Sequence, residues 1–276
     1  MGRPGIRNVL LAGLTAALLA LSILLVPGHG APPADADPTD PAVSATVGSQ
    51  PTGAPLPSGF TGVSLEYSAL HLYTGRDPRA VNPVLIPLLR NLAPSGGSPV
   101  LRIGGNSADK TWWPIRGTIP PPGVNYSLTD GWIRTTRALA DALGAKLIMD
   151  LNLSAGRPSM AAAEARVLLA GLGSRNIQAF EIGNEPDVYG LFPWYRDRHG
   201  RVFFARPSSW NLSQYIAQFS RWTAALPRYA VAGPAFAELT WLNGLPQFIS
   251  AEPRLRLVTL HRYPLRACLT LSLIHI

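Results

Sequence analysis

From residue 60 onward, short apolar runs alternate with stretches of helical periodicity. FTGVSLEY (60–67), SPVLRIGG (98–105), AKLIMDLNL (145–153), IQAFEIGN (177–184), YAVAGPAF (229–236) and LRLVTLHRY (255–263) are rich in Val, Ile, Leu or Phe, with little polar alternation. Runs of this kind predict strands of a parallel sheet covered on both faces. Helical patterns lie between them. NPVLIPLLRNL has Asn82 as a cap and Pro83 at the first helical position. SLTDGWIRTTRALADAL is capped by Ser127 or Thr129 and stopped by Gly144, a residue suited to the left-handed C′ position. SMAAAEARVLLAGLG ends in the same way, WNLSQYIAQFSRWTAAL is amphipathic, and LTWLNGLPQFIS is a helix interrupted by Gly244 and Pro246.

Repeated β–α units imply an α/β fold with a parallel sheet, either a closed barrel or a doubly wound sheet. No Gly-x-Gly-x-x-Gly or P-loop follows the first strand, which favours the (β/α)8 TIM barrel. Six strands are legible where that barrel uses eight. After HRYP the chain reads LRACLTLSLIHI, without a further helix or strand pattern. The sequence therefore predicts a partial barrel over 60–266, cut after its sixth strand, and an aberrant tail at 267–276.

The beginning of the chain is of another kind. A basic leader, MGRPGIRN, precedes an apolar run from Val9 to Val26, and small residues suited to cleavage follow near Ala31. Residues 1–31 read as an export signal, and the run is also just long enough for a signal anchor that would hold the protein at a membrane through residues 9–26. Either way the remainder is expected to be secreted or to face outward. Residues 32–59, rich in Pro, Ala and Gly, read as a tether.

Composition narrows the function classes. With 47% hydrophobic and 14% charged residues, a large core is expected and global disorder is not. The formal charge of +8 comes from scattered Arg, with no basic stripe interleaved with aromatics, so a nucleic-acid partner is not expected. Cys268 is the only cysteine and excludes an intrachain disulfide. The five His are dispersed and no cluster has metal-ligand spacing, so neither a metal nor another cofactor is expected. No Gly-x-Ser-x-Gly elbow is present, which disfavours a serine hydrolase. Sequons occur at Asn125, Asn152 and Asn211; the second lies in an apolar strand and reads as chance. Trp112, Trp113, Trp132, Trp194 and Trp210 offer faces for sugar stacking, though aromatics of a large domain more often fill its core.

The stretch FEIGNEPDVYGL carries three carboxylates. Glu185 falls at the C-terminal end of a strand, where barrel enzymes assemble their chemistry. Glu181, four residues back inside the apolar run, should face the same way and needs a cationic partner, for which Arg102 on the second strand is the candidate. Glu185 is thus the catalytic candidate, Glu181 a structural one and Asp187 a loop residue. Bringing Asn184 and Glu185 to one side requires the strand end to twist or bulge, which Gly183 permits.

Asn184-Glu185-Pro186 after a strand resembles the signature of clan A glycoside hydrolases, and LRIGGNSADKTWWP, GVSLEYSAL and VTLHRYP together resemble strands two, one and six of glycoside hydrolase family 79, the β-glucuronidase and heparanase family. The resemblance covers about residues 60–265. It implies a retaining β-glycosidase acting on a glucuronide or other uronic-acid glycan, with Glu185 as acid/base and Asn184 on the sugar 2-hydroxyl. It also implies sugar contacts from Glu66, Asn106 and Tyr263. Arg102, Glu181 and His261 would support the site, His261 by hydrogen bonding within the barrel. The nucleophile of that family is a Glu ending strand seven, which this sequence does not contain, so the chain as written is expected not to turn over. The alternatives are a carbohydrate-binding pseudoenzyme, a clan A glycosidase of neutral-sugar specificity, and a membrane-anchored adhesion protein.

Overall fold

A computed structural model describes residues 48, 50, 53–54, 59–93 and 97–262. The chain divides into two compact units, 1–54 and 55–276, and every element below belongs to the second. The apolar run at 9–26, most of the expected tether, Tyr263, Cys268 and the tail lie outside the described residues.

Six strands form one parallel sheet: β1 (Gly62–Glu66), β2 (Val100–Gly104), β3 (Lys146–Leu151), β4 (Ile177–Ile182), β5 (Val231–Phe236) and β6 (Leu255–Leu260). Their spatial order is their chain order, and all five pairings are parallel. A doubly wound sheet reverses direction at a switch point. This sheet never reverses, so each new strand is added on the same side, as in a TIM-like α/β fold. Among the described residues β1 and β6 each pair along one edge only.

The connections carry α1 (Leu70–Thr74), α2 (Leu85–Arg90), α3 (Asp130–Leu143), α4 (Pro158–Leu172), α5 (Leu212–Ala225) and α6 (Leu245–Ala251). Alternation along the strands sends Leu101, Ile103, Leu147, Met149, Phe180 and Ile182 to one face, where they join the buried residues of α3, α4 and α5 in one core. The polar residues Arg102, Asp150 and Glu181 fall on the other face; Asp150 and Glu181 are register partners across β3 and β4, and Arg102 lies opposite Ile148.

Some helix limits differ from the sequence reading, for local reasons. The helix expected from Asn82 begins at Leu85: Asn82 Oδ1 accepts from Val84 N at 3.0 Å, a turn that uses up the cap before the helix starts. Thr129, not Ser127, caps α3 by accepting from Trp132 N at 3.1 Å, because Ser127 is taken by a short pairing with Thr111–Trp112. Gly144 then ends α3 in the left-handed region at φ 63°. Gly173 closes α4 with φ 84° and ψ 136°, outside that region, so its ending differs from that of α3. The interrupted pattern at 239–250 resolves into a 3-10 turn, Leu239–Gly244, followed by α6, which places Pro246 at a helix start where it costs nothing. Asn152 is fully buried and its amide donates to Thr111 O at 2.9 Å, so that sequon serves packing.

Candidate active site

The carboxyl ends of β1 to β5 converge on one polar centre, and the turn after β4 is its pivot. Gly183 has φ 80°, and an added Cβ would stand 2.7 Å from Tyr189 Oη and 2.8 Å from Leu153 Cβ. Two residues later Glu185 takes the left-handed conformation, φ 54° and ψ 53°, rare for a side chain of this kind and a strain that clusters at functional sites. These two reversals break the strand alternation. Both Asn184 and Glu185 consequently line the same cavity, of about 180 Å³.

Each expected residue can now be placed. Glu185 is part-buried, its backbone N donates to Ala235 O at 3.1 Å, and its Oε1 lies 2.9 Å from His261 Nδ1. His261 therefore touches the catalytic candidate itself, beyond the general barrel support expected of it; its own backbone N is fixed by Phe236 O at 2.8 Å. Asn184 is buried, donates from Nδ2 to Asn106 Oδ1 at 2.9 Å, and accepts at Oδ1 from Arg102 Nη2 at 3.1 Å. Asn106 is exposed and lines the cavity. Glu66 accepts from Asn106 N at 3.0 Å and Ser107 N at 2.7 Å, so in this structure both its oxygens anchor the β2 loop. Gly105, at φ 78°, makes that possible: a Cβ there would lie 2.2 Å from Glu66 Oε1. Tyr263 is outside the described residues.

Arg102 donates from Nε to Glu181 Oε2 at 2.5 Å and from Nη2 to Asp150 Oδ2 at 3.2 Å. One guanidinium thus serves two fully buried carboxylates. Burial and the neighbouring Glu181 charge push the Asp150 carboxyl well above its ordinary value, and the Arg102 charge offsets this only in part. Burial works against the Arg102 cation, but the Asp150 and Glu181 charges and the Glu181 hydrogen bond outweigh it and raise its pKa. Asp187 is more than a loop residue. It is buried, and its carboxylate accepts from Ala237 N at 3.0 Å and Glu238 N at 2.7 Å, tying the β4 turn to the end of β5.

Sequence reasoning did not single out Asp150, Asp109, Tyr189 or Arg206. Asp150 had the same signal as Glu181, an acid embedded in an apolar strand. Asp109 had none beyond following the Gly-Gly turn. It is buried; its Oδ1 accepts from Leu153 N and Ser154 N, both at 3.0 Å, and its Oδ2 from Tyr189 Oη at 2.5 Å and Asn184 N at 3.4 Å. Burial raises the Asp109 carboxyl even though these four bonds favour its ionised form. Arg206 lies over the rings of Tyr189 and Trp210, at 5.6 Å and 5.2 Å, and donates to Leu153 O and Ser154 O.

The cavity has two unlike walls. Asn106, Asp109, Lys110, Asn184 and Glu185 supply the polar one; Val188, Phe192, Pro193, Trp194 and Ala205 supply the apolar one. Of the five tryptophans considered for sugar stacking, Trp194 reaches this cavity, while Trp112 and Trp132 are buried in packing. Among the described residues no group of three or more His, Cys, Asp or Glu could hold a metal ion.

No family model matches the chain, and no curated protein matches it. Solved structures do. A 4-O-α-L-rhamnosyl-β-D-glucuronidase from Fusarium oxysporum 12S, in its Rha-GlcA complex, is 21% identical with a TM-score of 0.53; the match covers 76% of this chain and 45% of that one. A family 51 α-L-arabinofuranosidase from Bifidobacterium longum is 16% identical with a TM-score of 0.43, over 73% of this chain and 44% of that one, too distant to carry an argument. The chain thus spans less than half the length of either protein. What the first likeness establishes is the fold: the six-stranded parallel sheet and its helices share the TIM-like α/β architecture of a glycoside hydrolase.

Proposed function

We propose that the protein is an exported β-glycosidase of the retaining kind, acting on a glucuronide or related glycan linkage, with Glu185 as its acid/base. The observation that carries this reading is the joint presentation of Asn184 and Glu185 at the carboxyl end of β4, in one cavity, by a strained turn. Glu185 would protonate the departing glycosidic oxygen, and Asn184 would hold the sugar 2-hydroxyl, a contact that strengthens as the oxocarbenium-like transition state forms. Arg102 fixes the Asn184 amide oxygen, so the amide presents its nitrogen side along the direction of Asn106. Retention needs a second carboxyl group about 5–5.5 Å from the first. We assign no described residue to that role. The glucuronide specificity and the family 79 assignment rest on the sequence resemblance, and export rests on the leader.

The test has two readouts on the full chain. Calorimetric titration with methyl β-D-glucuronide should show binding that weakens in Asn184→Ala. Release of 4-nitrophenol from its β-glucuronide, if present, should fall about 10²–10⁴-fold in Glu185→Gln. Binding without release would identify a sugar-binding protein in place of an enzyme. Neither binding nor release would end the carbohydrate reading.

A further inference from the structure

The two walls of the cavity have different origins, and the apolar one has an exposed rim. Val188, Phe192, Pro193 and Trp194 of that wall follow Glu185 closely in the chain, and Phe192 is 64% exposed. A large apolar side chain left exposed where it lines a cavity needs an explanation that singly scattered ones do not.

This wall is held in shape. Pro193–Arg196 pairs antiparallel with Val202–Phe204. Trp194 donates from Nε1 to Asp109 O at 3.0 Å, so the apolar wall is bonded to the polar one. The Trp194 and Tyr195 rings meet edge to face at 5.3 Å, Tyr195 stacks on Phe203 at 4.8 Å, and the Arg201 guanidinium covers Phe203 at 5.9 Å. Gly123 packs so closely that an added Cβ would lie 2.7 Å from the Tyr195 ring. Phe192 is therefore displayed beside a braced ribbon.

We infer that Phe192, with Val188, Pro193, Trp194 and Ala205, forms the leaving-group side of the site and selects glycosides whose aglycone is an apolar ring. The inference rests on the function proposed above. An acid that protonates the glycosidic oxygen stands on the side where the leaving group departs, and the apolar wall starts three residues beyond Glu185 in the chain and shares its cavity. Asn184 and Asn106, on the polar wall, suit the hydroxyls of the sugar, and an apolar ring buried against the other wall gains affinity by leaving water.

The experiment is calorimetric titration of the full chain with methyl β-D-glucuronide, phenyl β-D-glucuronide and phenol. Phenyl should bind about tenfold or more tightly than methyl. Phe192→Ser should remove most of that preference, whereas Leu191→Ser, equally exposed but not lining the cavity, should keep it. Both positions are on the surface, and circular dichroism checks that each variant is folded. If the two glucuronides bind alike, or if Leu191→Ser abolishes the preference as fully as Phe192→Ser, the inference is wrong. Absence of binding by either glucuronide, or phenol binding as tightly as phenyl glucuronide, overturns the glycosidase reading together with it.

Discussion

Glu164 sits on α4 with its side chain turned into the core, 1% exposed, and neither carboxyl oxygen has a hydrogen-bond partner in the structure. Burial alone raises its pKa from 4.5 to about 8. Below about pH 4.5 both the folded and the unfolded chain hold this proton, and the group adds no pH dependence. Between the two values the unfolded chain releases the proton while the folded chain keeps it, so stability falls as pH rises, and above the folded pKa the loss is complete. At about 1.36 kcal/mol per pH unit, the interval from 4.5 to about 8 corresponds to a loss on the order of 5 kcal/mol. That is comparable to the whole stability of many domains. Glu164→Gln keeps the shape and cannot ionise. Urea unfolding followed by tryptophan fluorescence, from about pH 5 to about pH 9, should show the wild type losing several kcal/mol relative to the variant. Other buried carboxyls titrate in both proteins, so the difference between the two curves isolates this one. If the curves run parallel across that range, Glu164 is ionised in the fold or its site admits water, and the reasoning fails.

Two further substitutions probe the site's scaffold. Arg102→Met leaves Asp150 and Glu181 buried without their cation, and should destabilise the fold by about 3–5 kcal/mol by chemical denaturation. Arg102→Lys should recover little of this, because Nε, Nη1 and Nη2 are all used at once. Gly183→Ala places a Cβ at φ 80° against Tyr189 and Leu153; it should lower stability by about 1–3 kcal/mol in thermal melts and weaken methyl glucuronide binding by moving Asn184.

The strands were legible because their apolar runs are long and bounded by Gly and Pro, and the structure keeps all six within a few residues of their expected limits. The pairing of Arg102 with Glu181 was legible by a similar argument: a buried acid on an apolar strand demands a cation, and the second strand offers one. What escaped were contacts between loops. Asp109 and Asp187 look like ordinary turn acids in the sequence, and only the fold brings backbone N–H groups from other loops to their carboxylates. Glu66 shows the same limit: nothing in the sequence showed that its two oxygens are spent on Asn106 N and Ser107 N. The helix before β2 was misjudged at its start because the Asn82 side chain had a turn available as well as a cap.

Asp109 gathers donors from the loop after β3 and from the turn after β4 onto a single carboxylate. Neither segment can swing away without leaving that buried carboxyl short of hydrogen-bond donors, so their openings are coupled. Breathing of this rim is then one cooperative event in place of several independent ones, with a barrier set by the shared acceptor. A ligand that rests on one of these segments would damp the fluctuations of the other without touching it.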